Sequence, residues 1–108
     1  MRILLSVVAA AVAFMPLSSH AVDQRAAQKL ARDSDCLKCH AISKKKEGPS
    51  YKEIAKKYKG KPDAESKVTL HITTQPKVKV DGKEELHGKV KSDDKAEIKN
   101  LVQWILSR

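Results

Sequence analysis

An all-α domain of four or so helices is what this 108-residue sequence predicts. Three observations point there. Apolar residues recur at helical spacing in four separate stretches, each preceded by a residue or pair suited to opening a helix. Alternation of the strand type is short, at Val78-Lys79-Val80. Between the first two helical stretches stands Cys36-Leu37-Lys38-Cys39-His40, two thiols three apart followed at once by an imidazole.

The first element is a leader. Arg2 gives residues 1–21 a positive start, Ile3 to Leu17 is apolar apart from Ser6 and Pro16, and Ser19-His20-Ala21 offers small residues for cleavage. This is the pattern of a secretory signal peptide, with the mature chain running over residues 22–108 as a single domain. An uncleaved anchor is the competing reading, but the apolar run is shorter than a bilayer span.

Asp23 then caps a helix whose apolar positions are Ala26, Ala27, Leu30 and Ala31, a narrow stripe of small residues that lets another helix approach closely. Asp33-Ser34-Asp35 breaks it just before the thiols. A basic loop, Lys44-Lys45-Lys46, ends at the turn signal Gly48-Pro49. Ser50 caps a second helix with Tyr51, Ile54, Ala55 and Tyr58 on its apolar face. Pro62-Asp63 opens a third, bringing Ala64, Val68, His71 and Ile72 to one side. The helical period lapses from Thr73 to Lys91, where Val78-Lys79-Val80 and the turn pair Asp81-Gly82 suggest an extended segment or partial hairpin. Ser92 is expected to cap the last helix, whose stripe is Ile98, Leu101, Val102 and Ile105 with Trp104 beside it.

The Cys36 to His40 spacing is the attachment pattern of c-type haem. Each cysteine adds across a haem vinyl group to give a thioether, and the adjacent histidine lies beneath the iron as proximal ligand. A zinc ribbon would need a second Cys or His pair at ligand spacing, and a thioredoxin-like motif a βαβ context that this chain is too short to hold. A disulfide between Cys36 and Cys39 would close so tight a loop that it would constrain little of the unfolded chain. The export signal agrees with haem attachment, which belongs to compartments across the plasma membrane. A covalent porphyrin also answers a deficit. Past the leader only Tyr51, Tyr58 and Trp104 are aromatic, too few for a full core in so small a domain.

Helices at both ends, a haem motif after the first, and a long loop before the last resemble the short bacterial class I cytochromes c over nearly all of residues 22–108. The resemblance is most specific in the haem motif, in Gly48-Pro49-Ser50-Tyr51-Lys52-Glu53-Ile54-Ala55, and in Ser92-Asp93-Asp94 with Leu101, Trp104, Ile105 and Leu106. It implies the class I cytochrome c fold, with Cys36 and Cys39 holding one haem c and His40 on the iron. It also implies that the Pro49 carbonyl accepts a hydrogen bond from the other ring nitrogen of His40, fixing its orientation. His71 matches a position that contacts a haem propionate in this family.

One departure stands out. The family's distal ligand is methionine, yet Met1 and Met15 both lie in the leader. His87 occupies the loop where the resemblance places that methionine, five residues before Ser92, and is the expected distal ligand. His71, a lysine or an open iron are the alternatives. Two imidazoles would leave no free site for substrate, which favours one-electron transfer over catalysis, and would lower the potential relative to a methionine-ligated member.

The formal charge of +9 becomes +8 when Arg2 leaves with the leader. Lys44, Lys45, Lys46, Lys52, Lys56, Lys57, Lys59 and Lys61 crowd together in sequence, a patch suited to steering acidic redox proteins, both donor and acceptor, toward an exposed haem edge. Nucleic acid is not expected as a partner, because Tyr51 and Tyr58 read as buried and export removes the usual ligand. The expectation is therefore a periplasmic, monomeric, single-haem carrier with no stable membrane insertion after cleavage, not an enzyme. By analogy alone it could serve an iron-oxidation or other respiratory chain. A haem sensor or small-ligand binder with an open or displaceable distal site is the second reading, and a haem subunit of a larger oxidoreductase the third.

Overall fold

The computed structural model describes residues 10–13 and 21–108. Most of the leader read over residues 1–21 therefore lies outside the described residues. Among those described, no helix is long and apolar enough to cross a membrane.

Among the described residues, four helices and one hairpin make the fold. They are α1 (Gln24–Asp33), a single 3-10 turn at Cys36–Lys38, α2 (Tyr51–Tyr58), α3 (Ala64–Thr73), β1 (Lys77–Val80), β2 (Lys83–Leu86) and α4 (Lys95–Leu106). Helix α4 is the hub, packing against α1, α2 and α3. Ala27 and Ala31 are what α1 buries, and these small side chains admit Leu101 and Val102 of α4, both fully buried. Val68, Ile72 and Val90 close the core from the α3 side. The start of α1 is also tied to α4, since Asn100 accepts from the Asp23 N–H and donates to the Asp23 carbonyl.

The caps follow local chemistry. Asp23 accepts from the Ala26 N–H at 3.0 Å and Ser50 Oγ from the Glu53 N–H at 3.1 Å, satisfying amides that the first turn leaves free. Asp63 opens α3 but makes no side-chain cap; its carboxylate pairs with Lys67 at 3.1 Å instead. At α4 the expectation of a Ser92 cap is corrected. Asp94 is the N-cap, accepting from Ala96 and Glu97. Ser92 sits two residues earlier, accepting from the Asp94 N–H and donating to Glu97.

The hairpin gives the otherwise helical fold a two-stranded antiparallel sheet, with Lys77 opposite Leu86 and Val80 opposite Lys83. Asp81 and Gly82 both have positive φ, 50° and 79°, as a two-residue primed turn demands. The His87 N–H donates to the Pro76 carbonyl and the Val90 N–H to the Ile72 carbonyl, at 2.8 and 2.9 Å. These bonds strap the chain after β2 to the end of α3, and that strap carries His87.

Candidate functional site

A cavity of about 670 Å³ opens between the Cys36–His40 segment, α2, α3 and the hairpin, a size usual for small-molecule and cofactor sites. Cys36, Cys39, His40, Pro49, His71 and His87 all line it, so the six residues expected around a haem reach one space. Tyr51, Ile54, Val68, Ile72, Leu101 and Ile105 form its apolar wall.

On one wall the 3-10 turn presents both thiols, unpaired and half-buried. Burial raises the pKa of each above the ordinary thiol value. At Cys39 the nearby Glu47 carboxylate, 3.3 Å from Sγ, adds to the effect. Asp35, in the left-handed region at φ 60°, sets the chain direction into that turn. Its carboxylate is held by Lys91 and Lys38, each at 3.4 Å, which lowers its pKa below the usual carboxylate value. The Lys91 N–H also donates to Ser34 Oγ at 2.9 Å, so the strap beyond His87 is sewn to the residues just before Cys36.

His40 is oriented from behind. Its Nδ1 donates to the Pro49 carbonyl at 2.7 Å, leaving Nε2 for the cavity. In the sequence Gly48 reads as a turn residue, and its surroundings add a role. A Cβ at Gly48 would stand 2.7 Å from His40 Cε1 and 3.0 Å from Nδ1. The imidazole therefore lies against bare backbone. The Gly48 N–H donates to the Cys39 carbonyl at 2.9 Å, and Tyr51 N–H to the Ala41 carbonyl, closing the loop around the ring.

Across the cavity, His87 is half-buried, with Nδ1 donating to the Gly88 carbonyl at 2.7 Å. Its ring centroid lies 6.0 Å from that of His40. With metal–nitrogen bonds of about 2 Å, two imidazoles on opposite sides of one metal hold their centres roughly 6 Å apart. His71, more exposed, sets its ring edge-on to His87 at 4.4 Å between centroids. Burial lowers the pKa of both His71 and His87 below the ordinary histidine value; at His71 the neighbouring His87 and His40 add to it, while at His87 the Gly88 carbonyl opposes it.

These walls fit a haem. Two thiols stand beside one imidazole, with a second imidazole across an apolar gap. Tyr51 Oη, buried in that wall, has no hydrogen-bond partner among the described residues, and its pKa is pushed up by burial, with the nearby Cys36 adding to it. Among the described residues no group of three or more His, Cys, Asp and Glu could hold a bare metal ion. Two imidazoles would need the remaining ligands from the group itself, as a porphyrin supplies them.

The lysines read as one patch are divided. Of them Lys57 borders the haem cavity, joined there by Lys38 and Lys79 from outside that patch, whereas Lys52, Lys56, Lys59 and Lys61 line a different surface and Lys44, Lys45 and Lys46 line neither. Tyr58, expected to be buried, is only half so.

Comparison with known proteins agrees with this site. The family model for cytochrome c matches residues 24–108. Cytochrome c-552 of Hydrogenobacter thermophilus is 37% identical over 84 residues, covering 74% of this chain and 79% of that protein. Cytochrome c-551 of Pseudomonas aeruginosa is 34% identical, covering 73% of each. Among solved structures, the class 1 cytochrome MtoD of Sideroxydans lithotrophicus ES-1 superposes with a TM-score of 0.78 at 52% identity, over 81% of this chain and 97% of that one. A site of two thiols and facing imidazoles, in a helical frame shared with these proteins, leads to one conclusion: this chain belongs to the cytochrome c family, as a class I monohaem electron carrier with one covalently attached haem c.

Proposed function

We propose that this protein is an exported electron shuttle in which Cys36 and Cys39 would hold the haem and His40 and His87 would supply the imidazoles for its iron. Bound there, the haem supplies a one-electron couple, ferric to ferrous. The observation that carries the reading is the 6.0 Å separation of the two imidazoles, each with Nδ1 committed to a backbone carbonyl at 2.7 Å. Such a bond fixes the tautomer, so that Nε2 of each ring is the free nitrogen facing the cavity.

The remaining residues position and insulate. Pro49 orients His40, and the apolar wall excludes water from the redox centre. His71, beside His87 at the open edge, is the residue proposed to meet a haem propionate. Charge on the cavity border suits a monomer that meets acidic donors and acceptors in turn, by encounters steered electrostatically. Bacterial class I cytochromes c are typically periplasmic, and that compartment agrees with the leader read in residues 1–21. Two histidine ligands leave the iron no open position, which favours electron transfer over small-ligand sensing.

The test is the spin state of purified holoprotein. His87→Ala opens the sixth position, giving a high-spin spectrum and rapid carbon monoxide binding to the reduced form, while His71→Ala stays low spin. A low-spin His87→Ala beside an altered His71→Ala reverses the two roles. Wild-type protein that binds carbon monoxide at once favours the sensor reading instead.

A further inference from the structure

On the far side of α2 a second concavity of about 740 Å³ is bordered by Lys52, Lys56, Lys59, Lys61 and Arg108. The spacing of the first three, four and then three residues apart, stacks them on one helical face. The opposite face carries Tyr51 and Ile54 into the haem cavity. None of the four lysines is in an ion pair among the described residues, and no Asp or Glu side chain lines the groove, while the Arg108 guanidinium is turned onto Trp104, its Nε donating to the Trp104 carbonyl at 3.2 Å. Its floor is apolar, made by Ala55, Ala64 and Leu106. A cleft with cations of one sign over low-dielectric walls focuses the field into its interior. Lys52, Lys56 and Lys59, stacked on one face with Lys61 beside them, give the groove an excess of positive charge that favours an anionic occupant.

We propose that this groove is a docking site for a carboxylate-rich segment of a protein partner, separate from the mouth of the haem cavity. The shape argues for a chain rather than a bilayer. A membrane surface is engaged by a face that projects cations and apolar anchors together, whereas these cations surround a hollow. The large exposed apolar residues among those described, Val12, Ile42, Leu70 and Leu86, lie outside it. Tyr58 is the one residue lining both the groove and the haem cavity. An occupant would therefore sit one side chain behind the haem and leave the attachment edge free for another protein. The inference goes beyond the electron-carrier reading and does not depend on which histidine ligates.

The experiment titrates isotope-labelled holoprotein with a hexaglutamate peptide at low salt and follows backbone amide shifts. Saturable shifts are expected at Lys52, Lys56, Lys59, Lys61 and Arg108. The triple variant Lys52→Gln, Lys56→Gln, Lys59→Gln should raise the Kd read at the remaining groove amides at least about tenfold, and Lys44→Gln, Lys45→Gln, Lys46→Gln should leave that Kd within about twofold. Haem content and visible spectrum are checked in each variant, which separates loss of docking from loss of the redox centre. The proposal fails if no saturable shift appears in the groove, or if both triples weaken groove binding equally. It fails also if phosphatidylglycerol vesicles bind through the groove lysines and hexaglutamate does not, which would make the surface a membrane contact.

Discussion

The imidazoles of His40 and His87 face each other across 6.0 Å although they come from opposite halves of the domain. One is set by the loop before α2, the other by the strap after β2. Both are braced from behind by backbone carbonyls, so their spacing is a property of the scaffold. A group entering between them meets imidazoles already in place, which lowers the ordering cost of binding.

If the haem completes the core, the attachment residues are also folding residues. Cys36→Ala with Cys39→Ala should abolish covalent haem and leave a chain without cooperative unfolding, because the cavity they border separates α2 and α3 from the hairpin. Mass spectrometry and circular dichroism check this. A colourless protein with the mass of the bare chain and a sharp melting transition would contradict it.

Gly48 makes a sharper test of how His40 is held. Gly48→Ala places a methyl group 2.7 Å from His40 Cε1, so the ring or the loop must move. The expected loss is about 1–3 kcal/mol of stability, as for other overpacked sites. A shifted haem spectrum should accompany it, from a displaced proximal imidazole. Pro49 cannot compensate, since its carbonyl is the acceptor being lost. Denaturant melts together with the visible spectrum measure both effects.

How much of this was legible in the sequence depended on whether the signal was local. The Asp23 and Ser50 caps and the Asp81-Gly82 turn are each decided within four residues, and each appears where expected. At Ser92-Asp93-Asp94 three residues could all cap, and the sequence does not say which N–H groups will be free. The structure assigns the cap to Asp94 and the supporting bond to Ser92. The Gly48 contact with His40 depends on loop closure and has no local signature. The division of the lysines was within reach, because Lys52, Lys56 and Lys59 share a helical face that Lys57 does not, but nearness in sequence concealed it.

Asp35 links the distal strap to the attachment turn through Lys91 and Lys38. Its pKa is lowered in the folded state, so its contribution is complete above the ordinary carboxylate value of about 3.9 and is lost as pH falls through the lower folded value. Asn tolerates the left-handed conformation found here. Asp35→Asn should therefore melt slightly lower than wild type at neutral pH, with the gap closing in acid. Because the pair is exposed, added salt should narrow the gap too. Thermal melts across pH, at two ionic strengths, decide it.

The loop lysines bear on partner encounter. Lys46 Nζ donates to the Leu37 carbonyl at 2.9 Å, which holds one of three adjacent cations against the attachment turn. Neutralising Lys44, Lys45 and Lys46 together should slow electron exchange with an acidic redox protein several-fold at low salt, chiefly through the association rate, and have little effect at high salt. Stopped-flow rates over a salt series test this. A rate independent of the three charges at low ionic strength would make them a solvated loop.

The distal ligand gives the most discriminating prediction. Both methionines of the sequence lie within residues 1–21, so residues 22–108 offer no thioether, and the strap bonded to Pro76 and Ile72 brings the His87 imidazole to the cavity. His87→Met should restore the ligand pair usual for the family and raise the reduction potential, since a thioether favours the ferrous state relative to a second imidazole. The strap can accept the change because its two anchoring bonds are made by backbone N–H groups, which the substitution keeps. His71→Met should leave the potential close to that of wild type. Potentiometry on the two holoproteins separates the histidines: a rise in His71→Met with none in His87→Met would move the iron to the other imidazole.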